Sequence, residues 1–205
     1  MNMKNEVFDK TYTEYLTQLE NVDFAAVAAT LNLRSSGEEL QVNLLGDEYR
    51  ASKAGIVDTE GRRARFEVCI AIFKYLLMCP AEIPEEGGWT AYHSFRDAQP
   101  LLHYFARETT GPIERCFAGR LQELRQACLA IDGGVSTEAG AFDLSIQFQL
   151  LSRIPLFLRF NDADDEFPAQ CSILFRESVE HYIDMESLGI LGALFARELV
   201  KSGSV

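Results

Sequence analysis

Phe142, Leu144, Ile146, Phe148 and Leu150 alternate strictly with Asp143, Ser145, Gln147 and Gln149, a period of two that predicts a half-buried β-strand with one wet face. Beyond it, Ile154 to Phe160 is almost continuously apolar, as expected of a central strand covered on both faces. Pro155 must then sit at the start or edge of that strand, because it donates no ladder hydrogen bond. A third strand is predicted over Gln170 to Phe175, after the polar turn Asn161-Asp162-Ala163-Asp164-Asp165. Earlier in the chain Leu40, Val42 and Leu44 alternate with Gln41 and Asn43, and Gly46-Asp47 turns the backbone back through Tyr49, which reads as a hairpin.

Elsewhere the period changes to that of a helix. Residues 4 to 20 and 23 to 31 read as two short helices, the second opened by Asp23 as N-cap ahead of Phe24, Val27 and Leu31. Phe66, Ile70, Phe73 and Leu77, widened by Cys69 and Leu76, predict a helix from about Arg62 to Cys79 that Pro80 stops. Gly111-Pro112 is read as the start of a further helix, whose buried face runs from Ile113 through Cys116, Phe117, Leu121, Leu124 and Cys128 to Ile131; Gly133-Gly134 ends it. Asp184 caps a last helix carrying Leu188, Leu191, Leu194, Phe195 and Leu199. Helices and consecutive strands in separate runs, without a βαβ rhythm, predict an α+β fold. In it a mainly antiparallel twisted sheet carries helices packed on one side. The expected extent is a single domain over residues 1–205, without internal repeats.

Charge narrows the function classes. The chain carries 19 Lys+Arg against 31 Asp+Glu, a net charge of -12, and such a surface repels phosphate backbones and anionic headgroups; the expectation is no nucleic acid and no membrane. The N-terminal stretch has no apolar run of signal-peptide length, and no segment approaches the roughly 20 apolar residues of a membrane span, so a cytoplasmic protein is expected. Five cysteines, Cys69, Cys79, Cys116, Cys128 and Cys171, are odd in number and include no CxxC pair. They read as reduced, buried thiols, with no intrinsic iron–sulfur or zinc motif. Neither GxxxxGK[ST] nor GxGxxG occurs, so there is no nucleotide motif; the cofactor, if any, is left unknown.

The sharpest polar constellation is Asp162, Asp164, Asp165 and Glu166, four acids within five residues between two apolar strands. A hard cation would relieve their repulsion, but the EF-hand pattern is broken by Phe167 at its sixth position and Ile173 at its twelfth. A solvated turn whose Asp side chains hold local amides is the preferred reading. Phe167-Pro168 is read as an anchor for that loop. His93, His103 and His181 form no HxxxH or HExxH pair, and Cys171 beside Ser172 reads as core rather than nucleophile. Trp89, Tyr92 and Phe95, followed by Tyr104 and Phe105, form an aromatic stripe that packs the core or lines a pocket, the pocket being expected where the stripe meets the acidic turn.

Several of these segments together resemble a bacterial and archaeal family of domains of unknown function, similar to this chain in length. The carriers are Trp89 with Phe95, Pro100-Leu101 and Phe105, Gly133-Gly134, Ile154-Pro155-Leu156, and Asp162 with Asp165-Glu166-Phe167-Pro168. Ile173-Leu174-Phe175, Tyr182 and Leu191-Gly192 complete the set, and the match is best over residues 89 to 200. Arg176 stands where the resemblance has an acid. Some members look like partners of, or are fused to, four-cysteine iron–sulfur domains of corrinoid-associated proteins; that four-cysteine domain is missing here. The resemblance implies at most a setting in anaerobic or one-carbon metabolism.

The leading expectation is a binding or interaction module, not an enzyme, whose partner is a protein or a small ligand. Asp162, Asp164, Asp165 and Glu166 present negative charge, and Trp89, Tyr92 and Phe167, with His93 nearby, supply apolar contact. Its rivals are a metal-assisted hydrolase or lyase, in which His93 or His103 joins the acids around a cation, and an accessory protein of anaerobic corrinoid or iron–sulfur metabolism.

Overall fold

A computed structural model describes residues 3–135 and 142–203; Met1 and Asn2 of the N-terminal stretch read above lie outside them. The chain opens with α1 (Met3–Leu19) and α2 (Phe24–Leu31). Asp23 caps α2 as its position foretold, its carboxylate accepting the Ala25 and Ala26 amides at 3.0 and 3.2 Å. β1 (Arg34–Ser36), β2 (Glu39–Leu44), β3 (Asp47–Ser52) and β4 (Gly55–Asp58) follow as an antiparallel four-stranded meander. Its β2–β3 turn is Leu45-Gly46, both at positive φ (55° and 86°), the geometry that matches the twist of the flanking strands. The Leu45 amide reaches the Leu150 carbonyl at 3.1 Å and ties this meander to the second sheet.

After α3 (Phe66–Leu77) a loop leads to β5 (Trp89–Ala91). The next helix departs from expectation. It begins well before Gly111 and runs through α4 (Leu102–Phe105), one π-helical turn over Ala106–Thr110, and α5 (Gly111–Phe117). Pro112 therefore lies inside a continuous helix. It has no amide to donate, and the wider π turn, in which the Gly111 amide reaches back five residues to the Ala106 carbonyl, takes up the break in the ladder. The anticipated single helix to Ile131 is also two: Gly119, at φ 71°, breaks the chain between α5 and α6 (Leu121–Ala130).

β6 (Gly134–Val135), β7 (Leu144–Leu151), β8 (Ile154–Asn161) and β9 (Gln170–Arg176) join β5 in a five-stranded antiparallel sheet of order β5-β9-β8-β7-β6, and α7 (Met185–Ser202) closes the chain. β8 is the central strand. Pro155 stands at its second residue, beside a register shift between Gln149 and Leu151 that spares the ladder an amide Pro155 lacks. The α+β expectation holds, with the strands divided between two sheets rather than one. Side chains of the inner face meet the helices, Phe148 against Phe195 (4.7 Å between centroids) and Phe175 against Phe105 (6.3 Å). One cluster of buried side chains runs from Tyr12 to Leu199 and serves both sheets.

Candidate functional site: the open face of the five-stranded sheet

The residues singled out by sequence do not converge. Asp162 to Phe167 form the β8–β9 loop, whereas Trp89 pairs with Arg176 at the far end of β9, roughly 20 Å away at the usual rise per residue. The groove that Tyr92, His93 and Phe105 line is walled by Cys171 to Leu174 of β9, next to the acidic turn but without its acids. Asp162 accepts the Gly119 amide at 2.6 Å and pins the α5–α6 loop; Asp164 accepts the Glu166 and Phe167 amides at 2.8 and 2.7 Å. Those two amides hold the Asp164 carboxyl below its ordinary value. The solvated-turn reading of these acids is what the geometry displays, while Asp165 and Glu166 point to solvent. Phe167 is no anchor: it is 60% exposed.

Tyr92 belongs to the core. Its ring stacks on Phe105 (4.0 Å, 4° between planes), its hydroxyl donates to the Met185 carbonyl, and only 2% of its surface is exposed. His93, His103 and His181 are exposed, and among the described residues no group of three or more His, Cys, Asp or Glu is placed to hold a metal ion. The metal-assisted rival therefore finds no donor set there. Cys171 is buried, its thiol pushed well above the ordinary value by desolvation and by the Glu114 carboxylate, as a core thiol rather than a nucleophile requires.

Trp89 lies elsewhere, on the sheet face turned away from α6 and α7. Strand alternation places three rows of side chains on that face. Ser145, Arg159 and Ser172 are cross-strand partners in the first; Gln147, Phe157, Leu174 and Ala91 form the second. In the third, Gln149 pairs with Pro155 and Arg176 with Trp89. The aromatic residues and arginines are interleaved. The Arg159 guanidinium lies 4.6 Å from the Phe157 ring, Phe157 lies 5.2 Å from Trp89, and the Arg176 guanidinium lies 4.1 Å over Trp89. Phe157 is fully buried beneath this ladder.

Beside Trp89 the face deepens into a cleft of about 230 Å³ between the loop that carries Ile83, Pro84 and Glu86 and the β7–β8 turn. Arg153 and Arg176 both line it. Arg153 is fixed from behind, its Nε donating to the Thr30 carbonyl (3.0 Å) and its amide to the Tyr75 hydroxyl (3.0 Å). Arg176 donates to the Gly87 carbonyl at 3.3 Å and stands 3.7 Å from the well-exposed Glu86 carboxylate. No ion pair joins Arg153 or Arg159 to a carboxylate among the described residues. In a chain with 31 acids that concentration of lightly neutralised guanidinium groups is a local reversal of the overall charge.

Polar satisfaction points to the same face. Four buried side-chain polar atoms have no hydrogen-bond partner among the described residues, and three of them, Trp89 Nε1, Ser145 Oγ and Arg159 Nε, belong to these rows. Two are donors only, so the groups that complete them are acceptors. None of the three arginines was a candidate from sequence. The alternation around Ser145, Gln147 and Gln149 did announce a wet face, but which face the helices would leave uncovered depends on the crossing of segments far apart in the chain.

A family profile described as a domain of unknown function, DUF3786, matches residues 23–198. No curated protein and no solved structure matches the chain. The matched span covers both sheets, the acidic turn and most of α7. No helix among the described residues is long and apolar enough to cross a membrane.

Proposed function

We propose that this chain, which belongs to the DUF3786 family of domains of unknown function, is a ligand-binding module that takes a small anion with a flat apolar body on the open face of its five-stranded sheet. The observation that carries this reading is the Arg176–Trp89 pair at the mouth of a cleft shared with Arg153. Guanidinium groups supply paired donors suited to a carboxylate or phosphate, and the indole supplies a surface for a ring. A long polyanion is disfavoured by the net charge of -12, whereas a small one responds mainly to the local field.

The single tryptophan of the chain, Trp89, is the reporter. Titration with naphthoate or phenyl phosphate should change its fluorescence saturably and raise the melting temperature, while a naphthyl amine of similar shape should do neither. Absence of a saturable response to every aromatic acid, together with an unshifted melting temperature, would sink the reading.

The acidic turn supports a second, separate proposal of a docking tip for a basic protein partner, because Phe167 is exposed beside the solvent-facing Asp165 and Glu166. Its test is capture of a partner by the wild-type chain and by an Asp165→Asn, Glu166→Gln, Phe167→Ser variant; equal recovery of every partner from both rejects it.

A further inference from the structure

From the first row of the open face we infer a second oxyanion subsite, built by Arg159 with Ser145 and Ser172. The ligand is accordingly an elongated diacid, with one acidic group at Arg176 and Arg153 and the other at Arg159. This rests on the open-face reading above and extends it to the class of ligand.

Arg159 sits in the central strand with Ser145 as its partner on one side and Ser172 on the other, so one cation is flanked by two hydroxyls on the same face. Ser145 is 7% exposed and its hydroxyl has no partner among the described residues; nor has Arg159 Nε. A buried polar group left unpaired is costly, and an oxyanion accepting from both would offset that cost. Phe157 and Phe142 hold the guanidinium at 4.6 and 5.1 Å from their centroids, and such ring contacts restrain a cation without neutralising it.

The spacing separates this subsite from the first. Arg159 is four residues along β8 from Pro155, whose row carries Arg176, which puts the two rows roughly 13 Å apart along the strands. A single carboxylate or phosphate cannot bridge that distance. Between the rows lie the half-buried side chains of Leu174 and Gln147, with Phe157 fully buried beneath them, so the stretch offers a flat middle apolar contact at Leu174 and no charge to a third polar group.

The test compares two rigid probes on the full chain by calorimetry and Trp89 fluorescence: biphenyl with a para carboxylate on one ring, and biphenyl with a para carboxylate on each. The diacid should bind about tenfold tighter or more, as one added charge-assisted contact implies. Arg159→Met, and separately Ser145→Ala, should bring the diacid down toward the monoacid and leave the monoacid within about twofold. Arg176→Met should weaken both probes. If the diacid binds no tighter than the monoacid while Arg176→Met still weakens both, the second subsite is wrong and the open-face reading stands. If Arg159→Met, shown folded by circular dichroism, weakens both probes equally, the separate subsite is likewise rejected. If neither acid binds, both readings fall together.

Discussion

Arg176 and Trp89 are direct cross-strand partners on β9 and β5, and the guanidinium lies 4.1 Å over the indole ring. The contact fastens a three-residue edge strand to the sheet and holds the indole toward the cleft. A cation–π pair at a partly exposed site contributes about 0.5–1 kcal/mol, so Arg176→Met should lower stability by about that amount. It should also alter the emission of Trp89 in the free protein. Arg176→Lys keeps the charge but loses the planar stack, and should recover little of the emission. Emission unchanged in both variants would show that the stack is not held in solution.

The acids of the β8–β9 loop divide into two kinds, and mutation should separate them. Asp164 holds two amides of its own loop and Asp162 holds Gly119 of another, whereas Asp165 and Glu166 face solvent. Asp165→Asn and Glu166→Gln should leave stability within about 0.5 kcal/mol. Asp162→Ala should cost about 1–3 kcal/mol, because a charge-assisted bond between two loops is lost. Urea unfolding of the single variants checks the order; equal costs at all three positions would contradict it.

Most of the elements were legible because they depend on neighbours in the chain. Asp23 and Asp184 announced their helices through caps, and the alternation from Leu144 to Leu150 announced β7, since one residue's environment repeats two positions later. What escaped depends on distant segments. Gly111-Pro112 carries every local mark of a helix start, yet the helix is already under way and α7 packs against its π turn. The Asp162–Glu166 cluster drew notice as an unusual local composition, although two of its members serve loop backbone. Arg159 and Arg176 are unremarkable singly and share a face only through strand register, with Arg153 brought beside Arg176 by the β7–β8 turn.

Gly192 of α7 lies where this π turn crosses. A Cβ there would stand 2.9 Å from Phe105 and 2.9 Å from the Thr109 hydroxyl, both buried. Neither neighbour is the free end of a flexible chain. Gly192→Ala should therefore destabilise by about 1–3 kcal/mol despite alanine's better helix propensity. A melting temperature equal to or above that of the wild type would mean that the helices part readily at this crossing.

Asp184 gives stability a defined dependence on pH. Its carboxylate caps α7 by accepting the Ser187 amide at 2.8 Å and pairs with Lys74 of α3 at 2.9 Å. Partial desolvation is the largest single influence on each residue and works against its charge, but the hydrogen bond and ion pair between them, joined by the Ser187 bonds at Asp184 and by Tyr15 at Lys74, together outweigh it, so the Asp184 carboxyl is held below its ordinary value and the Lys74 ammonium above its own. A carboxyl depressed in the folded state contributes its stability above the unfolded value and loses it as pH falls through the folded one; a raised ammonium contributes below its unfolded value and loses it as pH rises through the folded one. The contribution should be flat between about pH 4 and pH 10 and decline on both sides. Asp184→Asn retains a capping side chain but not the charge, and should cost less than about 1 kcal/mol near neutrality. The difference between wild type and variant should shrink below about pH 4, as the wild-type carboxyl takes up its proton. Melting curves from neutral to acid pH measure this directly: a difference that stays constant into acid would assign the cost to the cap alone and remove the Lys74 pair from the account.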